Sequence, residues 1–123
     1  MATVLVVDDD KETRRLVRMQ LEDKGHEVSV GDDGEQATRA LKEKSYDLLI
    51  TDLIMPNKEG IELIMECRKA YPKMKIIAIS GVYMGVGGTA LPVAEKLGAD
   101  AALEKPFKFA KLLETVNAVL AKE

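Results

Sequence analysis

The chain alternates between short runs of apolar, often β-branched residues and longer segments whose apolar residues recur every three or four positions. The apolar runs predict β-strands near residues 3–8, 27–30, 47–51, 75–79 and 100–103. The intervening periodicity predicts helices near 10–24, where Gly25 ends the first of them, 33–44, 59–70, from 91 onward and 107–121. Because each parallel connection requires a right-handed crossover, this alternation predicts one doubly wound five-stranded parallel sheet, in the order 2-1-3-4-5, with five helices covering both faces.

Local signals set several helix boundaries. Asp33 can cap the second helix, and Gln36 is placed to reach back toward it. The glycine-rich stretch 81–88 predicts a loop, because each glycine inside a helix costs about 1 kcal/mol relative to alanine. The fourth helix is therefore expected to begin only near Leu91, with Pro92 in its first turn.

Composition favours a single globular domain over residues 1–123, with 46% hydrophobic and 32% charged residues. A net charge of -3 argues against direct nucleic-acid binding, which requires clustered lysine and arginine. No apolar stretch approaches the roughly 20 residues that span a bilayer, and no secretory signal precedes Thr3. We therefore expect no membrane association and a cytoplasmic location. The single cysteine, Cys67, excludes an internal disulfide and is expected to be buried.

The densest basic group lies in the first predicted helix. Its members are Lys11, Arg14, Arg15 and Arg18. Because acidic residues are interleaved with them, a solvated helix face is the favoured interpretation. A docking patch for a partner protein is the alternative, since this helix begins beside the end of the first strand.

Polar residues stand at the ends of four predicted strands. They are Asp8, Asp9 and Asp10 after the first strand, Asp52 after the third, Ser80 after the fourth and Lys105 after the fifth. In an open parallel sheet the carboxyl ends of the strands form the ligand crevice, so these residues can converge. Each aspartate alone could cap a helix or a turn, but their joint placement favours one acidic pocket that handles phosphoryl groups.

Electrostatics predicts a metal ion in this pocket. Carboxylates about 4 Å apart repel each other by about 4 kcal/mol at an effective dielectric constant of about 20, so the acids require a cation. Oxygen ligands favour Mg²⁺, which also leaves coordination positions open for phosphoryl oxygens. Lys105 supplies a second positive charge and Ser80 a hydroxyl, as phosphoryl transfer requires. Asp52 is the best candidate nucleophile, because one carboxylate must face the metal while the others hold it.

These motifs resemble the response-regulator receiver domain of two-component signalling, from Val4 to about Leu120. The matching features are the acidic pair that follows strand one, the loop from Asp52 to Pro56 with Gly60, Ser80 at a Ser/Thr position, and the signature Lys105-Pro106-Phe107. The resemblance implies a flavodoxin-like fold. It also implies that Asp52 accepts a phosphoryl group from a histidine kinase or a histidine phosphotransfer protein and that the domain then changes its surface for a downstream protein target, without acting as a turnover enzyme.

The resemblance further assigns roles to single residues. Asp9, Asp52 and the backbone carbonyl of Ile54 are implied to coordinate Mg²⁺, with Asp8 contributing through water. Ser80 is implied to bind a phosphoryl oxygen. Lys105 is implied to pair with the phosphoacceptor, through a Lys-Pro bond that is often cis in this family.

Two positions depart from the family pattern. Ala102 stands where the family often has an aromatic ring that moves during switching, and the glycine-rich stretch 81–88 follows Ser80. Both departures bear on how a signal would leave the domain, and not on the phosphoacceptor.

Two other functions remain as alternatives. Asp8-x-Asp10 resembles the nucleophile and acid of haloacid-dehalogenase-like phosphatases, although Lys11-Glu12 replaces the residues expected after it. A flavodoxin-like cofactor binder is the other alternative, although three adjacent aspartates would repel the phosphate of such a cofactor.

Overall fold

The computed structural model describes residues 1–53, 59–81 and 91–122, and side chains for all of these except 91–93. The strands are β1 (Thr3–Val7), β2 (Glu27–Gly31), β3 (Leu48–Asp52), β4 (Lys75–Ser80) and β5 (Ala101–Glu104). The helices of the described part are α1 (Lys11–Asp23), α2 (Gly34–Glu43), α3 (Gly60–Ala70), α4 (Leu91–Leu97) and α5 (Phe109–Leu120).

The five strands form one parallel sheet in the order β2-β1-β3-β4-β5, which confirms the predicted topology. The register places Val7 of β1 opposite Thr51 of β3, so β1 and β3 end side by side. Several predicted boundaries differ from the observed ones by one or two residues. The start of α5, for example, is Phe109 and not Phe107, because Lys108 has an extended backbone and serves as the N-cap. The start of α4 at Leu91 agrees with the prediction.

The core lies on both faces of the sheet, since alternate residues of each strand point to opposite sides. Leu5 and Val7 pack against α2 and α3, whereas Val4 and Val6 pack against α1 and α5. Cys67 is buried in the first of these clusters, as predicted. None of the described helices combines the length and apolar composition needed to cross a bilayer.

Side-chain caps fix the starts of α1 and α2. Asp10 Oδ1 accepts the Glu12 N–H at 3.1 Å, and Asp33 Oδ1 accepts the Gln36 N–H at 2.9 Å. Gln36 does reach back, but its Oε1 accepts the N–H of Asp32, one residue before the cap. The bonds to Asp10 and Asp33 satisfy N–H groups that the first turn of a helix leaves without intrahelical partners.

Arg68, near the end of α3, ties that helix to the starts of β4 and β5. Its Nη1 donates to the Met74 carbonyl at 2.8 Å, and its Nε and Nη2 donate to the Gly98 carbonyl at 3.0 and 2.7 Å. Nη2 also lies 2.9 Å from Asp100 Oδ2. Gly98 has φ +128°, and a Cβ there would come within 3.0 Å of the Arg68 side chain. The backbone conformation therefore favours glycine at position 98, and a larger residue there would also require the Arg68 side chain to shift.

We expect Arg68→Ala to lower the free energy of unfolding by about 2 to 3 kcal/mol, because several partly buried acceptors lose their donor together. Urea denaturation of the metal-free protein measures the change. Arg18→Ala is the matched control, since Arg18 pairs with Glu22 at 3.2 Å on an exposed helix face. That variant should change stability by no more than about 0.5 kcal/mol. Equal losses in the two variants would contradict the role assigned to Arg68.

Candidate functional site

The carboxyl ends of four strands bring the predicted polar residues to one edge of the sheet. Asp52 is the last residue of β3 and Ser80 the last of β4, while Asp8 directly follows β1 and Lys105 directly follows β5. Parallel pairing of β1 with β3, β3 with β4 and β4 with β5 makes these ends neighbours. The convergence predicted from the strand pattern is thus present in the structure.

Lys105 lies between two of the carboxylates. Its Nζ is 2.8 Å from Asp8 Oδ2 and 3.0 Å from Asp52 Oδ2. Burial by itself would lower the pKa of Lys105, but contact with these two carboxylates outweighs burial and raises it. The ammonium group therefore stays charged and partly neutralises the pocket. The Lys105–Pro106 peptide bond is cis, as the family resemblance had suggested.

Asp8 is fully buried, which is unusual for a carboxylate. Its Oδ1 accepts the Asp10 N–H at 2.8 Å. Its Oδ2 has the ion pair with Lys105 but, among the described residues, no hydrogen bond of good geometry. Burial raises the pKa of Asp8 to about 6, and the negative charge of Asp52 adds to this, although Lys105 and the Asp10 N–H act in the opposite direction. A buried carboxylate oxygen that lacks a hydrogen-bond donor is suited to contact with an additional cation.

Asp9 completes an acidic cluster. One carboxylate oxygen from each of Asp8, Asp9 and Asp52 lies within 4.8 Å of the other two. Asp8 and Asp52 are buried and Asp9 is exposed, so the cluster opens to solvent on the side of Asp9. Among the described residues, three carboxylates around one space, beside the ammonium group of Lys105, offer the oxygen donors and the excess negative charge that Mg²⁺ requires.

Asp10 does not join this cluster. It caps α1, and its Oδ2 also accepts the hydroxyl of Thr13 at 2.8 Å. That hydrogen bond holds the pKa of Asp10 below its usual value. Of the three adjacent aspartates, two therefore face the pocket and one starts the helix.

Ser80 is buried, and its hydroxyl donates to the Gly81 carbonyl at 3.2 Å. Ala102 of β5 pairs with Ala78 of β4 in the sheet. Its side chain is a methyl group, where the family often has an aromatic ring. The Ile54 carbonyl, expected as a metal ligand, lies outside the described residues, and so does the glycine-rich stretch after Gly81.

Two residues near the pocket have contacts that the sequence did not predict, and one of them, Arg14, is half-buried and not on the solvated helix face expected for the basic group of α1. Arg14 Nη1 donates to the Asp8 backbone carbonyl at 2.7 Å. Gly60, noted only as part of a family motif, packs directly on the backbone of Asp52, where a Cβ would overlap the Asp52 carbonyl oxygen. The sequence carried one signal for the contact of Arg14. A cation in the first turns of a helix interacts unfavourably with the helix dipole, so its presence there suggests a specific partner.

The buried Asp8 leads to a pH prediction for the metal-free protein. Its pKa is about 6 in the folded state, against 3.8 for an unperturbed aspartate, so the folded state holds this proton more tightly. The resulting stabilisation is complete below pH 3.8 and is lost as the pH rises through 6. The loss corresponds to about 2 to 3 kcal/mol. Urea denaturation with EDTA at pH 4 to 8 should show the Asp8→Asn variant gaining stability relative to the wild type as pH rises; a pH-independent difference would contradict the assignment.

Comparison with known proteins places the chain in a family, by its sequence and by its fold. The family model described as the response regulator receiver domain matches residues 4–117. The chain belongs to the response regulator receiver domain family. The response regulator receiver protein CpdR of Brucella abortus is 33% identical over 98% of the chain and 98% of that protein. The receiver domain of NtrX from Brucella abortus superposes with a TM-score of 0.89 at 30% identity, covering 98% of this chain and 99% of that one.

Other relatives are longer than this chain. The DNA-binding transcriptional regulator NtrC of Azospirillum brasilense is 35% identical over 97% of the chain, which spans 24% of its length. The chain spans 50 to 54% of other curated relatives. Receiver domains are signalling domains of two-component systems, so the family favours neither the phosphatase nor the cofactor-binding alternative.

Proposed function

We propose that this receiver domain accepts a phosphoryl group on Asp52 from a phosphohistidine protein, in a reaction that requires Mg²⁺, and then presents a changed surface to a downstream protein. The observation that carries the proposal is the grouping of Asp52 with two other carboxylates and with Lys105 Nζ at one sheet edge. A phosphohistidine donor would be a histidine kinase or a histidine phosphotransfer protein. The domain would be a reaction partner in this transfer and not a turnover enzyme.

The proposed transfer exchanges one bond for another. A carboxylate oxygen of Asp52 forms a bond to phosphorus, the bond between phosphorus and the donor's imidazole nitrogen breaks, and the electron pair remains on that nitrogen. Lys105 starts 3.0 Å from Asp52 and can neutralise the charge that the incoming phosphoryl oxygens bring. Ser80 stands at the end of the neighbouring strand, where its hydroxyl could turn from the Gly81 carbonyl to a phosphoryl oxygen.

The residues of the pocket fit a magnesium ion. Asp8, Asp9 and Asp52 each offer one carboxylate oxygen, and these three oxygens lie within 4.8 Å of one another. Asp8 Oδ2 is buried and has no good hydrogen bond among the described residues. We propose that Asp9 and Asp52 hold the ion, that the Ile54 carbonyl adds a ligand, and that Asp8 contributes through water. When bound, Mg²⁺ would neutralise charge on the transferring group and orient its oxygens.

A groove beside the pocket supports docking of the phosphodonor. It has a volume of about 440 Å³ and runs between α1 and the loop that leads from β5 to α5. Its lining comprises Asp10, Thr13, Leu16, Val17, Lys105, Pro106, Phe107 and Phe109. The apolar part of this lining adjoins Lys105, so a partner helix seated there would hold its phosphohistidine close to the acceptor. The exposed arginines of α1 are expected to contribute less than this groove to docking of the phosphodonor, because Arg15 already pairs with Glu12 and Arg18 with Glu22.

The proposal includes an expectation about partners and location. The net charge of -3 supports a protein target and not direct nucleic-acid contact by this domain. NtrC is named as a DNA-binding regulator, but the chain spans only 24% of it. We also propose a cytoplasmic location, where phosphohistidine donors are formed from ATP.

Incubation with acetyl phosphate tests the proposal. Intact-protein mass spectrometry should show one added phosphoryl group in the presence of Mg²⁺ and none when EDTA replaces it. Label that is stable in acid and labile in base identifies an acyl phosphate. A phosphatase of the alternative class would instead release many equivalents of phosphate from the donor. Continuous release without accumulation of labelled protein would therefore contradict the receiver function.

A further inference from the structure

Arg14 differs from the other arginines of α1 in the partner of its guanidinium group. Arg15 pairs with Glu12 at 2.9 Å and Arg18 pairs with Glu22 at 3.2 Å, both on the exposed face of the helix. Arg14 is half-buried and has no ion pair with an acidic residue of the described part of the chain. Its Nη1 instead donates to the Asp8 backbone carbonyl at 2.7 Å.

This hydrogen bond acts on one peptide unit. The Asp8 carbonyl belongs to the peptide plane that joins Asp8 to Asp9, so the orientation of that plane sets the direction in which Asp9 leaves the backbone. The preceding peptide is held by the Asp8 N–H, which donates to the Gly31 carbonyl at 3.1 Å. The following peptide is held by the Asp10 N–H, which donates to Asp8 Oδ1 at 2.8 Å. Arg14 supplies the bond that holds the plane between them.

Asp9 depends on this restraint more than its neighbours do. Asp8 is enclosed by the core and Asp10 is fixed by its capping bonds, whereas Asp9 is exposed. Its carboxylate nevertheless lies within 4.8 Å of those of Asp8 and Asp52. Repulsion from the two other negative charges favours turning this exposed carboxylate toward solvent, and a fixed backbone at Asp9 limits the directions in which it can turn.

We propose that Arg14 is a positioning residue for the metal ligands: it holds the Asp8–Asp9 peptide so that Asp9 faces Asp8 and Asp52 before any ion binds. The inference rests on the proposed Mg²⁺-dependent function and adds a residue to it. Groups that orient metal ligands without touching the metal commonly change metal affinity by about 10- to 100-fold when they are removed. The positive charge of Arg14 at the start of α1, unfavourable to the helix itself, is accounted for by this role.

Calorimetric titration of the full chain with Mg²⁺ tests the proposal. Arg14→Ala should weaken Mg²⁺ binding about tenfold, and Arg14→Lys should recover part of the loss, because an ammonium group can still donate to one carbonyl. Arg15→Ala is the matched control: it removes an equal charge from the next position and should leave the affinity unchanged. Equal affinity in Arg14→Ala and the wild type would overturn the role of Arg14.

A second readout uses the protein without metal. Amide exchange at Asp9 and Asp10 in EDTA should be faster in Arg14→Ala than in Arg15→Ala, and a role limited to overall stability would instead raise exchange throughout α1. Unchanged exchange at these two amides would overturn the positioning role. If the wild type itself failed to bind Mg²⁺, both the proposed function and the role of Arg14 would be contradicted. If the wild type and Arg14→Ala bound Mg²⁺ equally well, only the role of Arg14 would be contradicted.

Discussion

Asp52→Asn should abolish phosphoryl labelling by acetyl phosphate in Mg²⁺, whereas Asp8→Asn should retain labelling at a reduced rate. Asp52 is the carboxylate of the cluster that lies at the end of the central strand β3, 3.0 Å from Lys105 Nζ. An amide nitrogen or oxygen at that position cannot form the acyl phosphate, so the effect is expected to be complete. Asp8→Asn keeps the volume of a fully buried residue and removes one charge from the metal site. Tandem mass spectrometry after borohydride trapping locates the label.

Comparison of these two variants also separates the proposed function from its main alternative. If the chain worked as a haloacid-dehalogenase-like phosphatase, Asp8 would be the nucleophile and the pattern would be reversed, with label lost in Asp8→Asn and kept in Asp52→Asn. Asp10→Asn is the matched control, since Asp10 is exposed, caps α1 and lies outside the acidic cluster. It should label like the wild type. Label that persists in Asp52→Asn would contradict the assignment of the phosphoacceptor.

The sheet could be predicted because its signals are local and agree with one another. Runs such as Val4–Val7 can only be buried in a sheet that is covered on both faces, and the intervening helical periods supply that cover. The parallel topology then places Asp8, Asp52, Ser80 and Lys105 at one edge without any information on distances. The convergence of these residues follows from strand order, so a sequence pattern is sufficient to find it.

The contacts around this group could not be predicted in the same way. Which of three adjacent aspartates caps α1 depends on the backbone at a single residue, and the sequence left that open for Asp8 and Asp10. The hydrogen bond from Arg14 spans six positions and depends on how α1 leaves the sheet. The network of Arg68 joins residues that are about thirty positions apart. Long side chains that bind backbone carbonyls have no sequence period, because any carbonyl within reach can serve.

Gly60→Ala should both destabilise the domain and impair phosphorylation, because Gly60 packs on the backbone that carries the acceptor. A Cβ at position 60 would overlap the Asp52 carbonyl oxygen and lie 2.7 Å from Leu53 Cα. The Gly60 N–H also donates to the Leu53 carbonyl at 2.9 Å, so the start of α3 cannot move away without losing that bond. All three neighbours are backbone atoms at the end of β3, and relief of the overlap must therefore shift Asp52 itself.

We expect Gly60→Ala to lower the free energy of unfolding by about 3 kcal/mol, the upper end of the usual range for overpacking, because no flexible side chain can give way. Where the variant folds, displacement of Asp52 by a few tenths of an ångström to about 1 Å should slow labelling by about 10- to 100-fold. Gly81→Ala is the matched control, since a Cβ there meets no atom of the described residues within 4 Å although Gly81 adjoins Ser80 at the same edge of the sheet. Urea denaturation and the rate of labelling by acetyl phosphate measure the two effects. Gly60→Ala behaving like Gly81→Ala in both would show that the backbone of Asp52 can yield without consequence for the site.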